Sequence, residues 1–327
     1  MFALDQYRAL RDGAGLLERE DRGRVVLRGE DRKTYLHGLL SNDILALEPG
    51  TGCYAALLTA QGRMISDMRV FELGGSVLLD LERPVTGTVV EHLEKFVITE
   101  DVEIEDVTAK YAQLGLYGPR TPEILAAATH ADPAVAPLYI LPGGDIGAPG
   151  VDLIVPREAA GSLTAALVSA GAVAVSPETA DVTRIEAGVP KFLVDMDTST
   201  IPLEAGIEDR AVSMTKGCYV GQEVIVRVLH RGGGRVARKL VGLLTDPPDV
   251  QSGDRLLAGD REVGRITSAV DSPRMGRRIA LAYVHRDFLE PGTALEVETA
   301  EGPSHAVVAR LPFRSEPSVT SGPLGEP

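Results

Sequence analysis

Residues 216–223 are the part of the chain whose side chains are best suited to chemistry. The run Lys-Gly-Cys-Tyr-Val-Gly-Gln-Glu places the ammonium of Lys216 two positions before the thiol of Cys218, and a nearby cation lowers the pKa of a thiol. Gln222 and Glu223 add an amide and a carboxylate. The pattern predicts a reactive thiolate with Cys218 and Lys216 as catalytic residues. The alternative is a lone cysteine that serves as a small buried apolar residue.

A basic segment follows directly and contains no acidic residue, which is unusual in so acidic a chain. Its cations are interrupted by three consecutive glycines and are Arg227, His230, Arg231, Arg235, Arg238 and Lys239. Glycines give the backbone freedom, and arginines bind anions such as a phosphate or a polyglutamate tail. A solvated connector between domains is the alternative. The glycines do not form a P-loop, because no Gly-Lys-Ser/Thr follows them.

A third candidate residue, Asp67, lies in the predicted strand 64–71. Strand alternation places Asp67 on the same face as Ile65, Arg69 and Phe71. An aspartate among apolar neighbours is costly to bury without a partner. Asp67 is therefore either a structural carboxylate paired with Arg69 or a site carboxylate that meets a cofactor.

The elements that must position these residues follow a mixed α+β pattern up to residue 237. Residues 5–20 are predicted to form an amphipathic helix. Residues 113–175 read as strand, helix, strand, strand, helix and strand, which is the split βαβ or ferredoxin-like order. The first half has a similar pattern. We predict two related ferredoxin-like halves within residues 1–237, with a boundary near residue 110.

The pattern changes after residue 238. Short alternating strands separated by Pro and Gly turns, without a helix, predict a small β-barrel over residues 238–314. The last residues, 315–327, are rich in Pro, Ser and Gly and are predicted to be a flexible tail.

Composition limits the functional classes. The net charge of −14 argues against a direct nucleic-acid binder, because such proteins carry a basic footprint. Apolar runs are too short to cross a membrane, and the first twenty residues lack a signal-peptide core, so a cytoplasmic location is expected. The two cysteines, Cys53 and Cys218, are too few for a self-contained metal or cluster site, so no metal ligands are assigned.

Three motifs together resemble the YgfZ family, which shares its fold with the T-protein aminomethyltransferases (GcvT-like proteins). The first is Arg-x-Glu-x-Gly at 184–188, the second is Pro-x-Glu at 202–204, and the third is the cysteine run at 216–223. The resemblance covers nearly the whole chain. It implies two ferredoxin-like subdomains and a C-terminal barrel around a central channel that binds tetrahydrofolate or a one-carbon derivative of it.

The resemblance also implies roles for individual residues. Arg184 matches the arginine that recognises the pterin end of folate, and Asp152 matches its partner carboxylate, one methylene shorter than the usual glutamate. Asp67 matches the T-protein aspartate near folate N10 and the transferred carbon. The complete predicted folate-contacting set is Asp67, Asp152, Arg184, Glu204, Tyr219, Gln222 and Arg227.

Two functions from different classes follow from this resemblance. The cysteine run favours a tetrahydrofolate-binding accessory factor for iron–sulfur cluster assembly or repair, with iron–sulfur proteins or assembly factors as partners. The retained Asp67 favours the alternative, a folate-dependent aminomethyltransferase or one-carbon transferase. Whether the chain is an enzyme is therefore left open, as is a third function as a pure folate-binding module.

Overall fold

The computed structural model describes residues 3–231 and 233–314, without the side chains of His230 and Arg231. The predicted tail at 315–327 lies outside the described residues, as does Gly232 within the basic segment. None of the described helices combines the length and the apolar character that a bilayer crossing requires.

The amino-terminal part of the chain does not form one long helix. Helix α1 (Leu4–Asp12) ends at Gly13 and is followed by strand β1 (Gly15–Glu18). Leu16 and Leu17 are consecutive and both buried, because both faces of this strand are covered. Consecutive apolar residues fit a helical as well as a buried-strand pattern, which explains why the predicted helix at 5–20 is wrong in its second half.

The first five-stranded sheet has the order β3-β4-β5-β2-β6. Two helices pack on it over a core of Leu, Val and Ile side chains. The elements are β2 (Arg22–Arg28), α2 (Arg32–Leu39), β3 (Gly52–Leu58), β4 (Met64–Glu72), β5 (Val77–Glu82), α3 (Thr86–Glu94) and β6 (Glu103–Asp106).

The second sheet has the order β10-β1-β7-β9-β8. Its elements are β7 (Tyr111–Tyr117), α4 (Thr121–Ala131), β8 (Tyr139–Pro142), β9 (Gly150–Pro156), α5 (Ala160–Ser169) and β10 (Val173–Ala174). These follow the predicted split βαβ order. Strand β1 is inserted between β10 and β7, parallel to the first and antiparallel to the second. The start of the chain therefore completes the sheet of the second half.

A helical segment joins the two sheets to the last domain. It contains α6 (Pro177–Glu186), α7 (Pro202–Ala205), α8 (Glu208–Ala211) and α9 (Gln222–Arg231). Helix α6 begins where the Ser176 hydroxyl accepts a hydrogen bond from the Thr179 amide, with Pro177 at the first helical position. These two residues fix the first turn of α6, and this helix forms one wall of the candidate site described below.

The carboxy-terminal domain is a closed six-stranded antiparallel barrel with the order β11-β14-β13-β12-β15-β16. Its interior is filled by aliphatic side chains. The strands are β11 (Arg238–Thr245), β12 (Arg255–Ala258), β13 (Arg261–Ser272), β14 (Arg277–His285), β15 (Ala294–Thr299) and β16 (Gly302–Ala309). The predicted α+β fold, two ferredoxin-like subdomains followed by a small β-barrel, is confirmed.

Candidate functional site

A cavity of about 300 Å³ lies where the two sheets, α6 and α8 meet. This volume is at the lower end of the range for small-molecule pockets, about 300–1,000 Å³. Its wall is rich in charged groups from many parts of the chain. The ionisable lining residues are Glu18, Arg19, Asp21, Arg22, Tyr54, Asp67, Arg69, Glu82, Asp145, Asp181, Arg184, Lys191 and Arg210.

Arg69 links the two sheets behind this cavity. Its guanidinium is paired with Asp80 of the first sheet and, at 2.6 Å, with Asp152 of the second. Arg22 holds the other side of Asp80 at 2.6 Å. Burial alone would raise the pKa of Asp80, but Arg22 and Arg69 hold it below its ordinary value. The buried carboxylates and guanidinium groups are thus paired with each other, and they form the rigid back wall of the cavity.

Asp145 contributes a carboxylate that the sequence analysis did not identify. It lies in the loop after β8, and both of its oxygens accept hydrogen bonds from Arg19, at 2.7 and 3.1 Å. Although burial opposes ionisation, the arginines Arg19 and Arg69 hold the pKa of Asp145 well below its usual range. The available sequence signal was a Gly143-Gly144 pair that precedes a lone aspartate between two strands.

Asp67 differs from these paired carboxylates. It is buried on the cavity wall, and its Oδ2 accepts a 2.6 Å hydrogen bond from the Tyr54 hydroxyl. Its Oδ1 has no hydrogen-bond partner among the described residues. Burial raises the pKa of Asp67, although the Tyr54 bond and the charge of Arg22 oppose the rise. A buried acceptor without a partner is rare and suggests that a ligand group completes it.

Arg184 also lines the cavity, but neighbouring groups bind most of its guanidinium. It pairs with Asp181 on its own helix and with Asp195 at 2.6 Å, and it donates to the Ser268 hydroxyl of the barrel at 2.9 Å. Burial opposes the charge of Arg184, but Asp195 and Asp181 raise its pKa above the ordinary value. Arg184 therefore joins α6 to the barrel as well as facing the cavity.

Asp152 is not the cavity partner of Arg184. Its side chain is fully buried within the second sheet, where it binds Arg69 and accepts from Tyr117 at 2.8 Å and Gln113 at 3.1 Å. Within the described ranges it does not line the cavity and makes no hydrogen bond or ion pair with Arg184. Strand alternation turns Asp152 towards the Arg69 layer, so the predicted Arg184–Asp152 pair is not formed.

The lysine of the cysteine run is bound to backbone carbonyls and not to the thiol. The Lys216 ammonium donates to the carbonyls of His37 and Leu40, each at 2.5 Å, and to that of Asn42 at 3.0 Å. It therefore binds carbonyls of the last turn of α2 and of the turn that follows it, while the thiol of Cys218 is exposed and is not among the cavity-lining residues. The predicted pairing of this lysine with the thiol is not present.

The other predicted contacts lie away from the 300 Å³ cavity. Tyr219 is buried in a core cluster, and its ring lies 4.9 Å from the Lys216 ammonium. Gln222 and Arg227 are on α9, and neither lines the cavity. Glu204, on α7, lines a separate 540 Å³ cavity against the barrel, 3.5 Å from Arg238. The structure does not bring these residues to Asp67.

Replacing Lys216 with Met should destabilise the fold by about 2 kcal/mol, because buried carbonyls lose a charged donor and none replaces it. Methionine retains most of the aliphatic stem, so packing changes little. Urea unfolding would measure the loss, with Cys218→Ala as the exposed neighbouring control that leaves stability unchanged. Equal midpoints for the Lys216→Met variant and the wild type would contradict the capping role.

The Arg-x-Glu-x-Gly motif has a structural role besides placing Arg184 on the cavity wall: its glutamate and glycine contact other parts of the fold. Glu186 is fully buried and accepts hydrogen bonds from Tyr7 at 2.8 Å and from Ser272 of the barrel at 2.5 Å. Gly188 has φ +68°, and a Cβ there would lie 2.8 Å from the Leu311 side chain. The motif thus holds α1, α6 and the barrel together around the site.

Comparison with known proteins identifies the family. Residues 2–216 match the GCVT N-terminal domain, and residues 238–314 match the glycine cleavage T-protein C-terminal barrel domain. The chain is 31% identical to an aminomethyltransferase of Streptomyces coelicolor, over 94% of this chain and 88% of that protein. It is 29% identical to one of Thermosynechococcus vestitus, over 97% and 89%.

A solved structure supports the same fold. The glycine cleavage system aminomethyltransferase T of Bartonella henselae aligns with a TM-score of 0.86 at 22% identity, covering 95% of this chain and 89% of that one.

These relatives correct the leading functional prediction. The prediction of an iron–sulfur assembly factor is wrong, because the curated relatives are named aminomethyltransferases. The chain belongs to the glycine cleavage T-protein (GcvT) family.

Proposed function

We propose that the chain is a tetrahydrofolate-dependent aminomethyltransferase. Aminomethyltransferases of this family use tetrahydrofolate. The observation that carries the proposal is Asp67, a buried cavity carboxylate with one oxygen held by Tyr54 and the other without a partner in residues 3–231 and 233–314.

The cavity suits the bicyclic end of a reduced folate. A volume of about 300 Å³ is sufficient for a planar ring system but not for the whole molecule, so the aromatic and glutamate parts would extend through the opening. Pterin rings present edges of alternating donors and acceptors, which carboxylates and guanidinium groups bind well. Arg184 and Asp145 are the lining groups of this kind that we assign to the ring, and Asp67 is assigned to N10.

The proposed reaction moves a carbon between a sulfur and two folate nitrogens. The carbon–sulfur and carbon–nitrogen bonds of an S-aminomethyl group break, and the carbon bonds to N5 and N10. The hydrogens released from N5 and N10 go to the sulfur and to the leaving amine, so the products are methylene-tetrahydrofolate, a free thiol and ammonia. Asp67 would accept the N10 hydrogen bond through Oδ1 and increase the electron density on that nitrogen. The enclosing wall would exclude water from the reacting carbon.

The test is a direct assay of the wild-type chain. It would be mixed with tetrahydrofolate and an aminomethyl-loaded lipoyl carrier of the glycine cleavage H-protein type, and methylene-tetrahydrofolate and ammonia would be measured together. We expect equal amounts of both products at a rate that saturates with folate. Cys218→Ala should match the wild type, because that thiol is outside the cavity. Folate binding without either product would leave only a binding function and would refute the transferase.

A further inference from the structure

Arg210 is a charged residue of the cavity wall that neither the sequence motifs nor the proposed chemistry uses. It lies on the four-residue helix α8, and its guanidinium carbon is 5.0 Å from the centre of the Tyr54 ring. Tyr54 is the residue that donates to Asp67. The three side chains therefore form a series from an exposed cation, through an aromatic ring, to the buried carboxylate.

Two residues of the turn after α2 hold this series in place. The Asn42 amide nitrogen donates to the carbonyls of both Tyr54 and Arg210, each at 2.9 Å. The Ser41 hydroxyl donates to the carbonyl of Ala211 at 2.6 Å. Strand β3 and helix α8 are thus bound to one turn, and the stacking of Arg210 on Tyr54 is built into the backbone arrangement.

We propose that Arg210 is a positioning residue for the reaction at Asp67 and acts through the Tyr54 ring. This inference rests on the proposed transferase function. A cation over an aromatic ring is attracted to the ring face and restricts its rotation. It also draws electron density from the ring, which makes the phenol hydroxyl a stronger donor. Arg210 would therefore keep the Tyr54 hydrogen bond short and leave the other oxygen of Asp67 for the substrate.

The charged groups around Asp67 determine the pH dependence that this arrangement predicts. Tyr54 on β3 and Arg22 on β2 favour the ionised carboxylate, whereas Asp145 after β8 and Glu82 on β5 disfavour it. A weaker hydrogen bond from Tyr54 to Asp67 stabilises the ionised carboxylate of Asp67 less. The pKa of Asp67 would then rise further, and activity would be lost at a higher pH on the acidic side.

The experiment compares Arg210→Gln with Arg210→Lys in the full chain, using the transferase assay. For Arg210→Gln we expect kcat to fall by about three- to tenfold with KM nearly unchanged, and the acidic limb of the pH profile to move to higher pH. Arg210→Lys retains a cation and should restore most of kcat. Arg120→Gln removes an exposed, Glu123-paired arginine outside the cavity and should behave as the wild type. Tyr54→Phe should shift the acidic limb in the same direction.

Each other outcome has a distinct meaning. A rise in KM at constant kcat in Arg210→Gln would make Arg210 a substrate contact and overturn the positioning role. If kcat and the pH profile are unchanged in Arg210→Gln, the positioning role is overturned. If Asp67→Asn is at the same time inactive, the proposed function remains intact. An inactive wild type would overturn both.

Discussion

Replacing Asp67 with Asn is expected to lower kcat for methylene-tetrahydrofolate formation by about 10²–10⁴-fold, the range typical of a lost general acid–base or acceptor group. Asparagine keeps the size of the side chain and can still accept from Tyr54. An amide NH2 group, which is a donor, then takes the place of the oxygen that has no partner. It cannot accept the hydrogen bond from folate N10. Single-turnover kinetics with a loaded carrier would measure the change.

Stability distinguishes a chemical effect from a folding effect in this variant. Burial raises the pKa of Asp67, which shows that its ionised form is disfavoured in the folded protein. Asp67→Asn removes that buried charge, so the free energy of unfolding should be equal or higher at neutral pH. Asp249→Asn, an exposed carboxylate of a barrel loop, is the matched control and should retain full activity. Full turnover by Asp67→Asn would remove Asp67 from the mechanism.

Replacing Arg69 with Met should have the largest effect on stability, about 3–5 kcal/mol, because two buried carboxylates lose the cation that they share. Asp80 and Asp152 are both nearly inaccessible to solvent, and both are paired with Arg69. Methionine fills a similar volume, so the loss of charge would dominate over the change in packing. Urea denaturation at neutral pH would measure it, with Arg120→Met as the exposed control within about 0.5 kcal/mol of the wild type.

The Arg69→Met deficit should depend on pH in a defined direction. The arginines lower the pKa of Asp80, so the stability that this pair contributes is complete above the ordinary carboxylate pKa and is lost as the pH falls through the lowered value. The unfolding free energy of the wild type therefore falls on acidification, and that of the Arg69→Met variant falls less because the pair with Asp80 is already absent. We expect the two unfolding free energies to converge at acidic pH. A deficit that stays constant from pH 7 to pH 3 would indicate a packing defect instead.

The order of elements was predictable because it depends on local patterns. Alternation identified the barrel strands, and the repeated strand–helix order identified the ferredoxin-like halves. The insertion of β1 between β10 and β7 was not predictable in this way. It pairs residues 15–18 with residues 114–117 and 173–174, and no local pattern encodes such a partner.

The site was predicted only in part, for a similar reason. Asp67 was identified as a candidate by its place in a strand, its role came from family resemblance, and it lies on the cavity wall. Asp145 was missed because its loop carries no periodic signal. Lys216 was assigned to the neighbouring thiol, although its ammonium reaches residues 37–42, far away in sequence. Proximity along the chain was thus a poor guide to which groups a flexible lysine side chain contacts.

The insertion of β1 also determines how the molecule must assemble. Residues 15–18 are synthesised before the first sheet, yet the neighbours of this strand are synthesised only after the entire first sheet. The strand has no neighbours until β7 and β10 have been synthesised. Its pairing then joins residues 15–18 to residues 114–117 and 173–174. The second half consequently could not be transplanted into another protein without residues 15–18, whereas the first sheet takes all five of its strands from residues 22–106.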